Sequence, residues 1–401
     1  METAFEFIPG GTVTSAKGFK AGATCAGIKK NSRNNLDLGI LFSEAPCATA
    51  GVFTLNKMKS APVIVCREKL PSKSIRALVV NSGCANAGTG EQGISNALTM
   101  IASVAERVGV TAEEVLVAST GIIGKQLPID LVASAIGKIE LSTDGGHTLA
   151  KAILTTDTTI KEVAVSVGGF TIGGIAKGSG MVHPNMGTLL CFLTTDASVD
   201  MDFLALMLRQ AVDISFNMVS IDGDNSPNDM VLLMANGLAG NKAITRHSKQ
   251  AVLFQQALDE ICIHLAKSIA SDGEGASKLI EAMVNGAASA SDARAAARAI
   301  ISSPLVKAAI HGNDPNWGRI VAAAGRSGAD LVESRLDLRI GGIYLIKEGN
   351  LLTFGRDKVV QALKNSQVAI ELNLNLGEAE ATAWGCDLSP EYVTINSEYT
   401  T

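Results

Sequence analysis

One segment of the chain could carry out covalent chemistry, and it centres on a Gly-Thr bond. Gly187 and Thr188 follow the glycine-rich stretch Lys177–Pro184 and precede the apolar run Leu189–Leu193, which predicts a buried strand. If the bond before Thr188 is cut, the threonine gains a free α-amino group beside its own hydroxyl. An α-amine has a reference pKa of about 7.7–8.0, so it can act as the general base for that hydroxyl near neutral pH. Glycine at position 187 suits a scissile bond because it tolerates unusual backbone angles.

The same two residues also have an ordinary interpretation, since most Gly-Thr pairs before a strand are exits from a turn. The wider string favours cleavage. It runs K-G-S-G-M-V-H-P-N-M-G-T from Lys177 to Thr188 and is similar to the K-G-x-G-M-x-x-P-x-M-A-T signature of ornithine acetyltransferases, the bifunctional glutamate N-acetyltransferases of arginine biosynthesis. In that family a precursor cuts itself before the threonine. Gly187 replaces the commoner alanine with another small residue, and it also resembles the Gly-Ser junction of related self-cleaving aminopeptidases.

Further strings resemble motifs of the same family, in the expected order along the chain. They are Asn81–Gly90, Ser119–Gly121, Thr155–Thr158, Asp222–Asp229, Asp272–Ala276, Asp314–Arg319 and the C-terminal run Tyr392–Thr401. The Asp222–Asp229 string departs from the family pattern at Asn225 and Pro227, where threonines are commoner. Because the resemblance covers nearly the whole chain, the protein is identified as a member of this family.

The resemblance implies a role for each matched residue. Thr188 would be the nucleophile, and Thr120 with Gly121 would form an oxyanion hole. The implied substrate contacts are Thr155, Lys177, Thr188, Glu274, Asn396 and Thr401. On the residues alone, Thr120-Gly121 is equally well explained as a turn, although a hydroxyl and a glycine N–H could hold a developing negative charge.

Two of these positions can also be weighed by their charge. Lys177 could be a solvated lysine, but at the mouth of the glycine-rich loop it could supply a point charge to a carboxylate. Asp272 and Glu274 follow the predicted helix Ser248–Ala270, where the helix dipole disfavours acids, and this indicates function more than stability. We hypothesise that Glu274 binds a cationic amine such as the side chain of ornithine. Thr155 by itself would be assigned to a helix cap or a turn.

Other kinds of site find little support. Gly88–Gly93 matches G-x-G-x-x-G, but its glycines do not directly follow the predicted strand Ala77–Asn81, so we reject a dinucleotide site. The five histidines form neither H-x-x-x-H nor H-E-x-x-H, which predicts no zinc site and no other metal site. We expect no metal or organic cofactor. The resemblance allows acetyl-CoA as a co-substrate.

Composition narrows the class of protein. The chain has 401 residues, of which 47% are hydrophobic and 18% charged, and its 40 glycines are typical of a compact enzyme with tight turns. A net charge of −5 argues against nucleic-acid partners, and no apolar run approaches the roughly 20 residues that span a membrane. The N-terminal residues do not predict a signal peptide. Seven cysteines without a C-x-x-C motif predict reduced thiols and a cytoplasmic protein.

Short β-rich runs and amphipathic helices interleave along the chain, which predicts a layered α+β fold. The predicted strands are Ala61–Val65, Ala77–Asn81, Val115–Ala118, Glu162–Val167, Phe170–Ile175, Leu189–Leu193, Leu336–Ile340 and Ala369–Leu374. The predicted helices are Ser95–Val108, Gly146–Leu154, Asp202–Asp213, Ser248–Ala270 and Ser291–Ile301. The pair around Gly168-Gly169 predicts a β-hairpin.

The resemblance adds an α/β/β/α-type sandwich with a smaller second domain, in a self-cleaving precursor of the N-terminal-nucleophile kind. Cleavage would yield an alpha fragment, 1–187, and a beta fragment, 188–401, which share one core. Family members assemble from two copies of each fragment, so the resemblance implies a heterotetramer.

The implied reaction is ping-pong acetyl transfer from N2-acetyl-L-ornithine to L-glutamate through acetyl-Thr188. Two alternatives remain on the sequence alone. A self-cleaving aminopeptidase or amidohydrolase would use the same nucleophile but pass the acyl group to water. A binding protein that is never processed would show neither activity.

Overall fold

The computed structural model describes residues 5–29, 36–183 and 189–398. Gly187 and Thr188, which form the predicted scissile bond, and Thr401, a predicted substrate contact, lie outside this described part.

The described residues form two β-sheets and the helices that cover them. The strands are β1 (Phe5–Phe7), β2 (Phe19–Thr24), β3 (Leu38–Phe53), β4 (Ser72–Cys84), β5 (Val115–Ile122), β6 (Lys161–Val167), β7 (Phe170–Lys177), β8 (Leu190–Thr195), β9 (Val219–Ser220), β10 (Met230–Ala235), β11 (Leu279–Ala287), β12 (Asp337–Ile340), β13 (Ile343–Lys347), β14 (Asn350–Leu351), β15 (Gln367–Asn373) and β16 (Ala379–Cys386). The helices are α1 (Ala61–Lys69), α2 (Gly90–Val108), α3 (Ile129–Ile136), α4 (Gly146–Ala152), α5 (Met201–Ile214), α6 (Ala251–Ser271), α7 (Ala290–Ile301), α8 (Pro304–His311), α9 (Trp317–Gly325), α10 (Arg356–Leu363) and α11 (Pro390–Glu398).

The first sheet has the strand order β1-β6-β7-β8-β10-β3-β4-β5, and β2 pairs with β3. Its middle strand β8 is antiparallel to β7 and parallel to β10. In this register Lys177 at the end of β7 lies opposite Leu190 at the start of β8. The sheet therefore brings the two ends of the segment around the predicted scissile bond close together.

Alternation along β8 shows why the first sheet has helices on both faces. Leu190 and Phe192 belong to one buried core, and Cys191 and Leu193 belong to the other. Residues of opposite parity point to opposite faces of a strand. Helices α1 and α2 contact β5 and helix α4 contacts β2 on one side, while α5 and α6 contact strands on the other.

The second, smaller sheet has the order β14-β13-β12-β15-β11-β16-β9. The alanine-rich helix α7 packs on β11 and β16, because its buried Ala293, Ala296 and Ala297 allow a close approach. Helix α6 contacts β6 and β7 of the first sheet and also β16 and β11 of the second. The structure confirms the predicted layered α+β fold, in which α6 contacts both sheets.

One predicted element is wrong. The apolar run Ala61–Val65 is the first part of helix α1 and not a strand. Ser60 caps the helix, since its hydroxyl accepts a hydrogen bond from the Val63 amide at 3.5 Å, and Pro62 lies in the first turn. A serine cap followed by proline is a helix-start signal, and here it outweighs the β-branched composition.

The predicted hairpin is confirmed. Strands β6 and β7 pair through Val167 and Phe170, and the intervening Gly168 and Gly169 have φ angles of +53° and +90°. Positive φ at both turn residues explains why both are glycine. Among the described residues no helix is both long enough and apolar enough to cross a bilayer. All seven cysteines are free thiols.

Candidate active site

Six of the predicted site residues line a single cleft, although they come from distant parts of the chain. The cleft has about 660 Å³ of empty space, its solvent-facing mouth included. The predicted residues in its wall are Thr120, Gly121, Thr155, Lys177, Glu274 and Asn396. The structure thus brings together every predicted site residue that falls within its described part.

Thr120 and Gly121 occupy the end of β5. Thr120 is 4% exposed, and its hydroxyl makes no hydrogen bond within the described residues, so it is available to a ligand in the cleft. The neighbouring hydroxyl of Ser119 is different, because it donates to Asn81 Oδ1 at 2.6 Å. Of these two adjacent hydroxyls, Ser119 has a structural role and Thr120 can have a chemical one.

Gly121 has a backbone position that strongly favours glycine. Its φ angle is +127°, which residues with a side chain rarely adopt. A methyl group at its α-carbon would lie 2.5 Å from the carbonyl carbon of Gly83 and 2.6 Å from the amide nitrogen of Cys84. The close approach of β4 therefore requires glycine here.

Lys177 lies at the end of β7 with its side chain 3% exposed. Its ammonium group is 3.7 Å from Asp157 Oδ2. Burial alone would raise the pKa of Asp157, but the ammonium groups of Lys177 and Lys161 and the hydrogen bond from Gly178 hold it well below its usual range. The cleft therefore contains a buried cation that is compensated by an ionised carboxylate.

Asp272 has a structural role, which changes the interpretation of the acids after α6. Its carboxylate accepts hydrogen bonds from Lys161 Nζ at 2.6 Å, from the Thr158 amide at 3.0 Å and from the Thr159 amide at 3.2 Å. These donors compensate a negative charge at the helix C-terminus. Of the two acids after α6, Glu274 is therefore the one whose charge still indicates a function.

Glu274 faces the cleft and is held from two sides. Its amide donates to the Ser179 carbonyl at 2.8 Å, and Asn396 Nδ2 in α11 donates to its Oε2 at 2.8 Å. Gly180 leaves the space that the carboxylate occupies, since a methyl group there would lie 2.5 Å from the Glu274 carboxyl carbon. A cation and an anion, Lys177 and Glu274, thus line the same cleft.

We expect Gly180→Ala to weaken substrate binding without unfolding the protein. The added methyl group would push the Glu274 carboxylate aside, and that carboxylate ends a flexible side chain which can move. KM for a cationic substrate should rise by about tenfold, or about 1.4 kcal/mol, with little change in kcat. Steady-state kinetics of Gly180→Ala beside Glu274→Gln would check this. An unchanged KM in both variants would contradict the role of Glu274.

Sequence reasoning missed the side chains that connect the strand end at Thr120 with the start of β8 after Thr188. Asn228 Nδ2 donates to the carbonyl of Ser119 at 2.7 Å, next to Thr120. The following residue, Asp229, accepts a hydrogen bond at Oδ1 from the Leu189 amide at 3.0 Å. Two adjacent side chains therefore hold the neighbour of the predicted oxyanion-hole threonine and the neighbour of Thr188.

Asp222 has a matching role on the other side of the predicted scissile bond. Its carboxylate accepts from the Met181 amide at 2.5 Å and from the Val182 amide at 3.0 Å. Burial raises the pKa of Asp222, and it raises the pKa of the fully buried Asp229 well above the ordinary value. The only sequence signal for either acid was its place in the Asp222–Asp229 string.

The donor set gives no indication of a metal centre. Within residues 5–29, 36–183 and 189–398, no three His, Cys, Asp or Glu side chains are grouped so that they could hold an ion.

Comparison of the sequence with known proteins identifies a matching family. Residues 20–401 match the model described as ArgJ family. The arginine biosynthesis bifunctional protein ArgJ of Dehalococcoides mccartyi is 51% identical over 405 residues, which covers 100% of both chains. The protein of the same name from Symbiobacterium thermophilum is 50% identical over 402 residues, covering 99% of this chain and 100% of that one.

A solved structure is similar as well. The crystal structure of arginine biosynthesis bifunctional protein ArgJ from Bacillus halodurans superposes with a TM-score of 0.50 at 42% identity. The match covers 97% of that chain but 51% of this one. The Bacillus chain is therefore about half as long as the chain described here.

Proposed function

Since this chain belongs to the ArgJ family, we propose that it transfers the acetyl group of N2-acetyl-L-ornithine to L-glutamate through an acetyl-Thr188 intermediate. The chain is an N-acyltransferase of arginine biosynthesis, as its relatives are. One observation supports the specific reaction most strongly. One cleft beside the start of β8 is lined by a buried hydroxyl without a hydrogen-bond partner among the described residues, a glycine whose position disfavours a side chain, a buried cation and an anion.

The first step would be hydrolysis of the Gly187-Thr188 bond, which consumes one water molecule and gives fragment 1–187 with a new carboxylate and fragment 188–401 with a new α-amine. Asp222 holds the backbone at residues 181 and 182, and Asp229 holds the backbone at residue 189. These two anchors therefore lie on either side of the proposed cleavage site. The half-length chain of the Bacillus relative also supports a product of two chains.

In the second step Thr188 Oγ attacks the acetyl carbonyl carbon, and the new α-amino group of Thr188 takes the hydroxyl proton. The carbonyl oxygen becomes an oxyanion, which Thr120 Oγ–H and Gly121 N–H would stabilise by hydrogen bonds. When the tetrahedral intermediate collapses, its C–N bond breaks and ornithine leaves after its amine receives that proton. The amine of L-glutamate then attacks the carbonyl carbon of the acetyl ester and loses a proton to the α-amino group of Thr188. That proton passes to Thr188 Oγ as the C–O bond breaks, giving N-acetyl-L-glutamate and free Thr188.

Opposite charges in the cleft fit the ends of acetylornithine. Lys177 would bind the α-carboxylate, and Glu274, oriented by Asn396, would bind the side-chain ammonium. Thr155 lines the cleft beside Lys177 and would contribute a hydroxyl. Thr188 itself and Thr401 would complete the substrate contacts.

The remaining parts of the proposal concern partners and place. We propose small-molecule substrates, no metal or organic cofactor, and acetyl-CoA as a second acetyl donor that would make the enzyme bifunctional. Two copies of each fragment would form the assembly. Seven free thiols support a reducing compartment, the cytoplasm.

Mass spectrometry combined with an acetyl-transfer assay tests the proposal. The purified protein should show two fragments, one of them beginning at Thr188, and it should move an isotopically labelled acetyl group from acetylornithine to glutamate. Release of labelled acetate without acetylglutamate would instead identify a hydrolase. A single intact band of 41.5 kDa without transfer would overturn the proposal altogether.

A further inference from the structure

We infer that Asp157 is a positioning residue that fixes Lys177 and Thr155 for recognition of the substrate carboxylate, an inference that rests on the function proposed above. Asp157 lies in a hydroxyl-rich loop between α4 and β6 and does not line the cleft. Its effect on substrate would therefore pass through the residues that it holds.

Each oxygen of Asp157 has its own set of partners. Oδ1 accepts from Lys161 Nζ at 2.8 Å and from the Gly178 amide at 2.7 Å. Oδ2 accepts from the Thr155 amide at 3.1 Å and faces Lys177 Nζ at 3.7 Å. One fully buried carboxylate thus contacts two cleft residues, Thr155 and Lys177, and also the amide of Gly178 in the glycine-rich stretch.

The distance to Lys177 is informative. At 3.7 Å the pair is close enough for charge compensation but too long for a hydrogen bond. Among the described residues, Asp157 is the acid within ion-pair distance of Lys177. Within the described residues, the Lys177 ammonium therefore keeps its N–H donors for a ligand carboxylate, while Asp157 balances its charge.

Other charged side chains lie near the Asp157–Lys177 pair and interact with it electrostatically. Burial lowers the pKa of Lys29 to about 8. Repulsion from Lys177 acts in the same direction, and the attraction of Asp37 opposes it. Asp229 also interacts electrostatically with Lys177, and Glu274 lines the same cleft. Behind Asp157, Lys161 forms a second ion pair with Asp272 at 2.6 Å. Ion pairs thus join Lys161, Lys177, Asp157 and Asp272 into one buried network of two lysines and two aspartates.

A substrate pair measures the inference directly. We compare kcat/KM for N2-acetyl-L-ornithine and for its α-carboxamide, which lacks the negative charge. The wild-type enzyme should strongly prefer the carboxylate. Asp157→Asn and Lys177→Met should each reduce this preference by tenfold or more. In the double variant the two reductions should not add, because Asp157 acts through Lys177.

Two charge-balanced variants separate positioning from folding. Asp157→Asn with Lys161→Met removes one charge of each sign, so the variant remains neutral at this site while Lys177 loses its partner. Lys161→Met with Asp272→Asn is the matched control, because it leaves the Asp157–Lys177 pair in place. The first should lose the carboxylate preference, and the control should keep it.

Several results would overturn the inference. One is a folded Asp157→Asn variant, alone or with Lys161→Met, that retains the preference for the carboxylate substrate. Another is an equal loss of this preference in the Lys161→Met, Asp272→Asn control. A third is that the losses of preference from Asp157→Asn and Lys177→Met add in the double variant. Failure of the proposed function looks different, because the wild-type enzyme itself would then transfer no acetyl group.

Discussion

Thr188→Ala is expected to abolish both the backbone cleavage and the acetyl transfer. Without the Thr188 hydroxyl, the acetyl-Thr188 ester of the transfer reaction cannot form. Without cleavage, the α-amine that acts as the general base is not released. Loss of a catalytic nucleophile removes most of the rate enhancement, so kcat/KM should fall by about 10³-fold or more. Mass spectrometry of the intact protein and the transfer assay measure the two effects separately.

Thr188→Ser is the matched control because it keeps a hydroxyl and, after cleavage, an α-amine. It should still be processed and should retain measurable transfer. An uncut Thr188→Ala protein with wild-type kcat/KM would refute the mechanism. A cut but inactive Thr188→Ala protein would show that another residue performs the cleavage.

Gly121→Ala is expected to have the second largest effect, and it acts on stability as well as on rate. The new methyl group would meet backbone atoms of β4 at 2.5 to 2.7 Å, and those atoms cannot rotate away. Overpacking and the φ angle of +127° together should destabilise the fold by about 3 kcal/mol. If the strand end shifts, the proposed oxyanion hole opens and kcat should fall by about 10²-fold or more.

Gly124→Ala provides the control for this prediction. Gly124 also has a positive φ angle, +78°, but nothing lies within 4 Å of the position that a methyl group would take. It should lower stability by about 1 kcal/mol and leave kcat unchanged. Thermal unfolding and steady-state kinetics of both variants are required. Equal effects at the two positions would show that the contact with β4 is unimportant.

The sequence predicted the chemical groups of the site better than the elements that carry them. Thr120, Lys177 and Glu274 line one cleft, and each was predicted because its string resembles a motif of the family. The mistaken strand at Ala61–Val65 shows the limit of predicting strands and helices from runs of apolar residues. A short run of apolar residues has no period by which a strand differs from a buried helix, and only the Ser60 and Pro62 signals decide it.

The residues that organise the site were the hardest to predict. Asp157 contacts Lys161, which is near in sequence, but also Gly178, which is not. Asn228 reaches Ser119 across an even longer stretch of chain. Such contacts depend on how strands β4, β5, β7 and β10 are placed in three dimensions. A single sequence contains no pattern for them, since the partners share neither a helix face nor a strand register.

The strand order of the first sheet has a consequence for the protein after cleavage. Strands β8 and β10 follow the proposed cut, yet they lie between β7 and β3, which precede it. A processed molecule that unfolds would separate into two polypeptides, and its recovery would become a second-order reaction that slows on dilution. The uncut Thr188→Ala chain would renature at a rate independent of concentration. After processing, unfolding in dilute solution would thus be practically irreversible, because the two separated fragments would rarely meet again.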